Sequence, residues 1–155
     1  MFIEHGTELE LDYIIFLNGK VYDTSIKDIA ISSGIFNLEK EYKPIRFKQG
    51  SPSVISAINT SVLGMAIGEE KVIKVYPSNG FGYRNGSLIR TLPRSMVEKA
   101  IEDISPGTKI SMTFNNQKRT GHIVELNDDN VIIDFNHELA DKEFDLKVII
   151  RNIIL

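Results

Sequence analysis

Two histidines are the first side chains in this sequence whose type could support chemistry. His122 and His137 lie near Asp134 and Glu138, a set that could in principle hold a metal ion. Their spacing matches no common zinc pattern, and two histidines on different strands make weak metal ligands, so neither a metal nor a cofactor is expected. His137 reads as a structural histidine and His5 as a solvated one. The chain has no cysteine, which removes thiol nucleophiles, thiolate metal sites and disulfides together. No paired-carboxylate pattern for acid–base work stands out either. What remains is aromatic: Tyr13, Phe47, Phe81 and Phe144, with Asp23 as a carboxylate following a strand. Read alone, Tyr13, Phe47 and Phe144 are strand aromatics suited to core packing, and Asp23 suits a turn or cap. Phe81 is harder to dismiss. It stands between Gly80 and Gly82, in a loop where regular packing seldom buries an aromatic ring.

These residues need elements to hold them. Leu9, Leu11, Tyr13 and Ile15 alternate with Glu8, Glu10 and Asp12, which predicts a strand with one apolar face and one acidic, solvated face. Asn18-Gly19 follows, the pair best suited to a type I′ turn, and Lys20 to Asp23 reads as the returning strand. From Thr24 to Phe36 the spacing of Ile26, Ile29 and Ala30 turns helical, with Thr24 or Ser25 as N-cap and Gly34 as the stop. Residues 44–49 predict a strand. Ser51-Pro52 predicts a helix start, and Ile55, Ile58, Val62 and Leu63 form its apolar stripe before Gly64. A strand at 69–76 is halted by Pro77, and a Gly-rich loop follows. Beyond it, 88–92 predicts a strand and Pro93 opens a helix through Ile101. Further strands are expected at 108–114, 120–126, 130–135 and 144–155. Antiparallel sheet packed on one helix, an α+β fold, accommodates this order.

Composition narrows the setting. The 155 residues are 42% hydrophobic and 25% charged, the balance of a globular chain rather than a disordered one. The net charge of −3 is spread without a basic block, so nucleic-acid binding has no electrostatic footing. No apolar run reaches the roughly 20 residues a bilayer requires. The start, Met1 to Gly6, lacks the basic-then-apolar pattern of a signal peptide. The expected setting is the cytoplasm, with no membrane or nucleic-acid partner.

Three stretches carry a resemblance. Val21-Tyr-Asp-Thr-Ser25, Gly64-Met-Ala-Ile-Gly-Glu-Glu-Lys71 and Val75-Tyr-Pro-Ser-Asn-Gly-Phe-Gly82 resemble an FKBP domain. There they form a strand ending in a pocket aspartate, the turn after the single helix, and the loop before the flap. Pro44-Ile-Arg-Phe47 and Val54-Ile55 fit the same domain. Leu92-Pro-Arg-Ser95, Pro106-Gly107 and the run from Val131 to Ala140 resemble the domain inserted in the flap of SlyD-type and archaeal FKBPs, with its return crossing. Up to Leu155 there is neither the metal-binding tail of bacterial SlyD nor the extra C-terminal domain of longer archaeal forms, so the short archaeal form is expected.

The resemblance implies an FKBP-like antiparallel sheet wrapped on one helix, with a small β-rich domain inserted in the flap. It implies an isomerase domain at 1–85 plus 135–155 and an inserted chaperone domain at 86–134. Tyr13, Asp23 and Phe81 fall at the family's catalytic positions. Tyr22, Ile45, Phe47, Val54, Ile55, Ile58 and Phe144 fall where it lines its proline pocket. Phe81 replaces the usual tyrosine, Ile58 a tryptophan or leucine, and Ala57 a glycine. The implied function is peptidyl-prolyl cis/trans isomerisation on unfolded, proline-containing chains, by a monomer with chaperone activity. A non-catalytic chaperone and a partner-docking module remain alternatives that keep the fold. Isomerisation suits a chain without a nucleophile, because its barrier is the partial double-bond character of the amide, about 18–20 kcal/mol.

Overall fold

The N-terminal alternation becomes β1 (Glu8–Leu17), which closes on β2 (Lys20–Thr24) through Asn18 and Gly19, both at positive φ as a type I′ turn demands. The structure, a computed structural model, describes residues 1–155 apart from the side chain of Phe114. It divides into two compact units, residues 1–82 with 141–155, and residues 83–140.

In the first unit, β9 (Phe144–Ile154) is the organising strand. It pairs antiparallel with β1 along one side and with β4 (Glu70–Val75) along the other. The outer side of β1 is shared: Glu8–Leu11 pairs with β3 (Ile45–Lys48), and Ile14–Leu17 pairs with β2. Leu9, Leu11, Val148 and Ile150 are fully buried along this sheet. Two short helices accompany it, α1 (Lys27–Ser32) and α2 (Ser56–Ser61); the latter buries Ala57, Ile58 and Ser61.

Several local expectations shift. The acidic face of β1 is not wholly solvated. The register against β9 passes from Glu10 opposite Asn152 to Leu11 opposite Ile150, which makes Arg151 the extra residue of a bulge on β9, and Asp12 on β1 is buried, at 7% exposed. Its carboxylate accepts from Ser25 Oγ and Arg151 Nε, each at 2.7 Å. With Ser25 committed there and Thr24 Oγ1 accepting from the Ile26 amide, α1 is capped by neither; its N-cap position is Ile26. Gly34, at φ 74°, lies just past its end. Helix α2 begins later than Ser51-Pro52 predicts. Ser51 turns back to accept from the Ser53 amide, while the Asn59 side chain holds the Gly50 amide and the Ser51 carbonyl. That bracing keeps 50–53 out of the helix.

The second unit is a four-stranded antiparallel sheet in the order β5 (Ile89–Pro93), β8 (Asn130–Asp134), β7 (Gln117–Leu126), β6 (Lys109–Phe114). Helix α3 (Arg94–Glu98), shorter than the run to Ile101, adds Val97 to a core of Ile110, Ile123, Val131, Ile133 and Phe135. The junctions at 85/86 and 134/135 lie inside this unit, because its two entering segments are bonded together. Asn85 and Asn136 exchange hydrogen bonds at 2.8 and 3.1 Å, the Phe135 amide donates to the Leu88 carbonyl at 2.8 Å, and Arg84 pairs with Asp134.

Candidate functional site

Alternation on β1 sets Tyr13 and Ile15 on one face, and cross-strand pairing places Asp23 and Leu146 on either side of Ile15. These four residues form one wall of a cavity of about 270 Å³. Ile45 from the start of β3, Ser53, Val54 and Ile55 from the approach to α2, Ile58 from α2, and Phe81 from the loop after β4 complete it. A larger hollow of about 780 Å³ beside Met1, Glu4, Glu8, Lys48 and Leu155 gathers none of the expected site residues.

The loop carrying Phe81 is tightly built. A 3₁₀ turn at Pro77–Asn79 is closed by the Asn79 side chain accepting from the Tyr76 amide at 2.8 Å. The Gly82 amide donates to the Pro77 carbonyl at 2.9 Å, and the Gly82 carbonyl accepts from Asp141 at 2.8 Å. Gly80 is demanded by space: a Cβ there would lie 2.6 Å from Val75 Cγ1 and 2.9 Å from the Tyr76 carbonyl oxygen. So fixed, the Phe81 ring stacks on Phe144 with centroids 5.7 Å apart.

One edge of the cavity is polar. The Tyr13 hydroxyl donates to Asp23 Oδ2 at 3.0 Å, and the Thr24 amide donates to Oδ1 at 2.8 Å. Lys40, from the segment between α1 and β3, pairs with Asp23 Oδ1 and donates to the Tyr13 hydroxyl at 3.2 Å. Burial, and then the Asp23 charge, raise the Tyr13 phenol above its ordinary value; Lys40 opposes this only in part. Burial alone would lower the Lys40 amine, but its bonds to Asp23 and Tyr13 outweigh that and hold it above the usual range.

Seven expected site residues therefore line one cavity: Tyr13, Asp23, Ile45, Val54, Ile55, Ile58 and Phe81. Three do not. Phe144 stands behind Phe81 as its stacking partner. Phe47 is buried opposite Leu9 in the β3–β1 pairing, deeper in the sheet core. Tyr22, half-buried beside Asp23, is the extra residue where the β1–β2 register shifts and is not among the lining residues. Sequence reasoning missed Ile15, Ser53, Leu146 and Lys40. Ile15 was signalled by its spacing from Tyr13, whereas nothing local marked Lys40. His137 Nδ1 accepts from the Leu139 amide at 3.0 Å, a structural use. Among the described residues, no helix is long and apolar enough to cross a membrane.

The arrangement can enclose a small apolar ring while a planar polar group lies at the Tyr13–Asp23 edge. Two features suit it to that: mostly aliphatic and aromatic walls, and one oriented hydroxyl. Comparison with known proteins points the same way. The family described as FKBP-type peptidyl-prolyl cis-trans isomerase matches residues 1–92. A short-type peptidyl-prolyl cis-trans isomerase of Methanocaldococcus jannaschii is 36% identical over 97% of this chain and 94% of its own length. A probable FKBP-type 16 kDa peptidyl-prolyl cis-trans isomerase of Pseudomonas fluorescens is 31% identical over 95% of this chain and 90% of its own. The SlyD isomerase of Helicobacter pylori is 30% identical over 68% of this chain and 56% of its own.

Proposed function

The chain belongs to the FKBP-type peptidyl-prolyl cis-trans isomerases, and on that premise we propose that the Tyr13–Asp23 cavity takes the proline ring of an unfolded chain while residues 83–140 hold that chain nearby. The observation that carries the first half is convergence: residues far apart in sequence meet around one apolar cavity with a single polar edge. A planar amide is more polar than a twisted one and loses more on leaving water, so an apolar cavity favours the twisted form. Ile55, Ile58 and Phe81 clamp the ring while the preceding carbonyl rotates. Asp23 accepts the one proton of the Tyr13 hydroxyl and so fixes that group as an oriented dipole at the rim where the carbonyl turns. Phe144 supports Phe81 from behind.

The second half is supported by what residues 83–140 leave in water. Ile89, Met96 and Val124 are 39%, 47% and 45% exposed, and β6 ends the sheet with one unpaired side. Extended clients add to such an edge by main-chain hydrogen bonding. Holding a client on the same chain as the cavity raises the local concentration of its X-Pro bonds. The working unit is a cytoplasmic monomer.

The test is a protease-coupled isomerisation assay on a proline tetrapeptide. The native chain accelerates it, and Ile58→Glu, which puts a charge on the cavity floor, abolishes the acceleration. A native chain that left the uncatalysed rate unchanged would make this a holding protein and remove the cavity from the mechanism.

A further inference from the structure

Lys40 lies outside every stretch that marked the site in sequence, yet its ammonium is fully engaged beside the cavity. An ammonium has three N–H donors, and here three acceptors meet them: Asp23 Oδ1, the Tyr13 hydroxyl at 3.2 Å and the Thr24 carbonyl at 3.0 Å. The rings of Tyr13 and Tyr42 stand 5.6 and 5.4 Å from it, and Tyr42 is stacked in turn on Phe36. No donor is left over for a substrate. The group acts through its charge and through the two side chains it fixes.

That charge has a specific job at this place. The Lys40 and Asp23 side chains are 31% and 38% exposed, so their field reaches the rim of the cavity without being fully screened. With the amine in place the edge is close to neutral. Without it, one carboxylate faces the cavity mouth, and Glu39 and Glu41 on the same exposed segment add to the negative field. Glu41 is itself partly offset by Lys43 at 3.3 Å.

We infer that Lys40 is a specificity-determining residue, which cancels the Asp23 charge so that the site accepts acidic as readily as basic residues next to the substrate proline. This rests on the reading that the Tyr13–Asp23 cavity holds that proline. The two stand or fall by different measurements.

The experiment uses two tetrapeptides that differ only in carrying Glu or Lys immediately before proline, assayed with the full chain. For the native protein, kcat/KM for the two stays within about two-fold. In Lys40→Met, which keeps the aliphatic stem, the Lys-to-Glu ratio rises about five-fold, chiefly through KM, and the rise collapses in high salt. Lys40→Arg keeps the native ratio, and Lys40→Met combined with Asp23→Asn returns the ratio toward native even though the rate falls. A ratio unchanged in Lys40→Met, or an equal loss for both peptides, overturns the inference, since a merely structural lysine would give just that. Should Lys40→Met fold poorly, Lys40→Gln carries the same comparison. Dissociation constants for the two peptides, followed by NMR titration, give the ratio without turnover. A native chain binding neither peptide sinks the cavity reading itself; one binding both, with Lys40→Met unchanged in preference, sinks only the role of Lys40.

Discussion

Around the cavity of the first unit, the walls come from β1, β2, β3, the approach to α2, the loop at Phe81 and β9. The second unit is built from one continuous stretch, and its core residues lie between Val97 and Phe135. The first unit gathers apolar side chains around an open-mouthed hollow bordered at one edge by Tyr13, Asp23 and Lys40. The second hides a small core and leaves Met96 and Val124 half in water. A concave hollow selects by shape, because its walls match some rings better than others. An exposed strand edge selects weakly, because backbone pairing is indifferent to most side chains. On the proposed function, one chain thus holds a discriminating surface and an undemanding one.

That contrast can be broken most forcefully by removing one side of it. Replacing residues 83–140 with a short glycine linker should cut catalysed refolding of a proline-limited protein about 100-fold, while tetrapeptide activity stays within about three-fold. Equal losses in both assays would end the proposed division of labour. A gentler version empties the second core. Ile133→Ala, at a fully buried position, should lower the stability of that unit by about 2–4 kcal/mol in denaturant unfolding, with tetrapeptide turnover unchanged. On the cavity side, Gly80→Ala forces a Cβ against Val75 and displaces the Phe81 loop. Tetrapeptide kcat/KM should drop several-fold, about 1 kcal/mol in the barrier, with client holding intact. The smallest effect concerns acid. Burial would raise the Asp134 carboxyl, but hydrogen bonds from the Asn136 backbone and side chain and the Arg84 charge outweigh it, so it sits below its ordinary value of 3.8. Its contribution to folding is then complete above that value and is lost as pH falls through the lowered one. Asp134→Asn should flatten the acid end of the second unit's stability profile; an unaltered profile would leave Arg84 and Asn136 without an electrostatic role.

The strands were the most legible part. Alternation and turn chemistry carry strand positions directly, and Asn18-Gly19 and Asn115-Asn116 all adopt the positive φ that their residue types favour. Helix starts were less so, because capping depends on where a hydroxyl finds its partner. Ser25 could not be seen to prefer Asp12, nor Asn59 to occupy the backbone ahead of α2. Asp12 itself was hidden because its place in the β1 alternation is regular, and nothing on that strand marks that Ser25 and Arg151 come to its carboxylate from elsewhere in the chain. In the cavity, Tyr13, Asp23 and Phe81 were legible through their family pattern. Lys40 was not: it acts across a loop on residues far back in the chain, and neither periodicity nor motif spans that distance.

The placement of β9 has a consequence for how the molecule is made. It is the inner strand of its sheet, flanked by β1 and β4, and it is also the segment translated after everything in residues 83–140. While the ribosome is still working, the second unit already has all of its strands, whereas the first has a gap where its middle strand belongs. Nascent β1 and β4 wait with their hydrogen-bonding edges open until residues 144–154 arrive to bridge them. Residues 83–140 have every strand of their sheet before the cavity of the first unit can close.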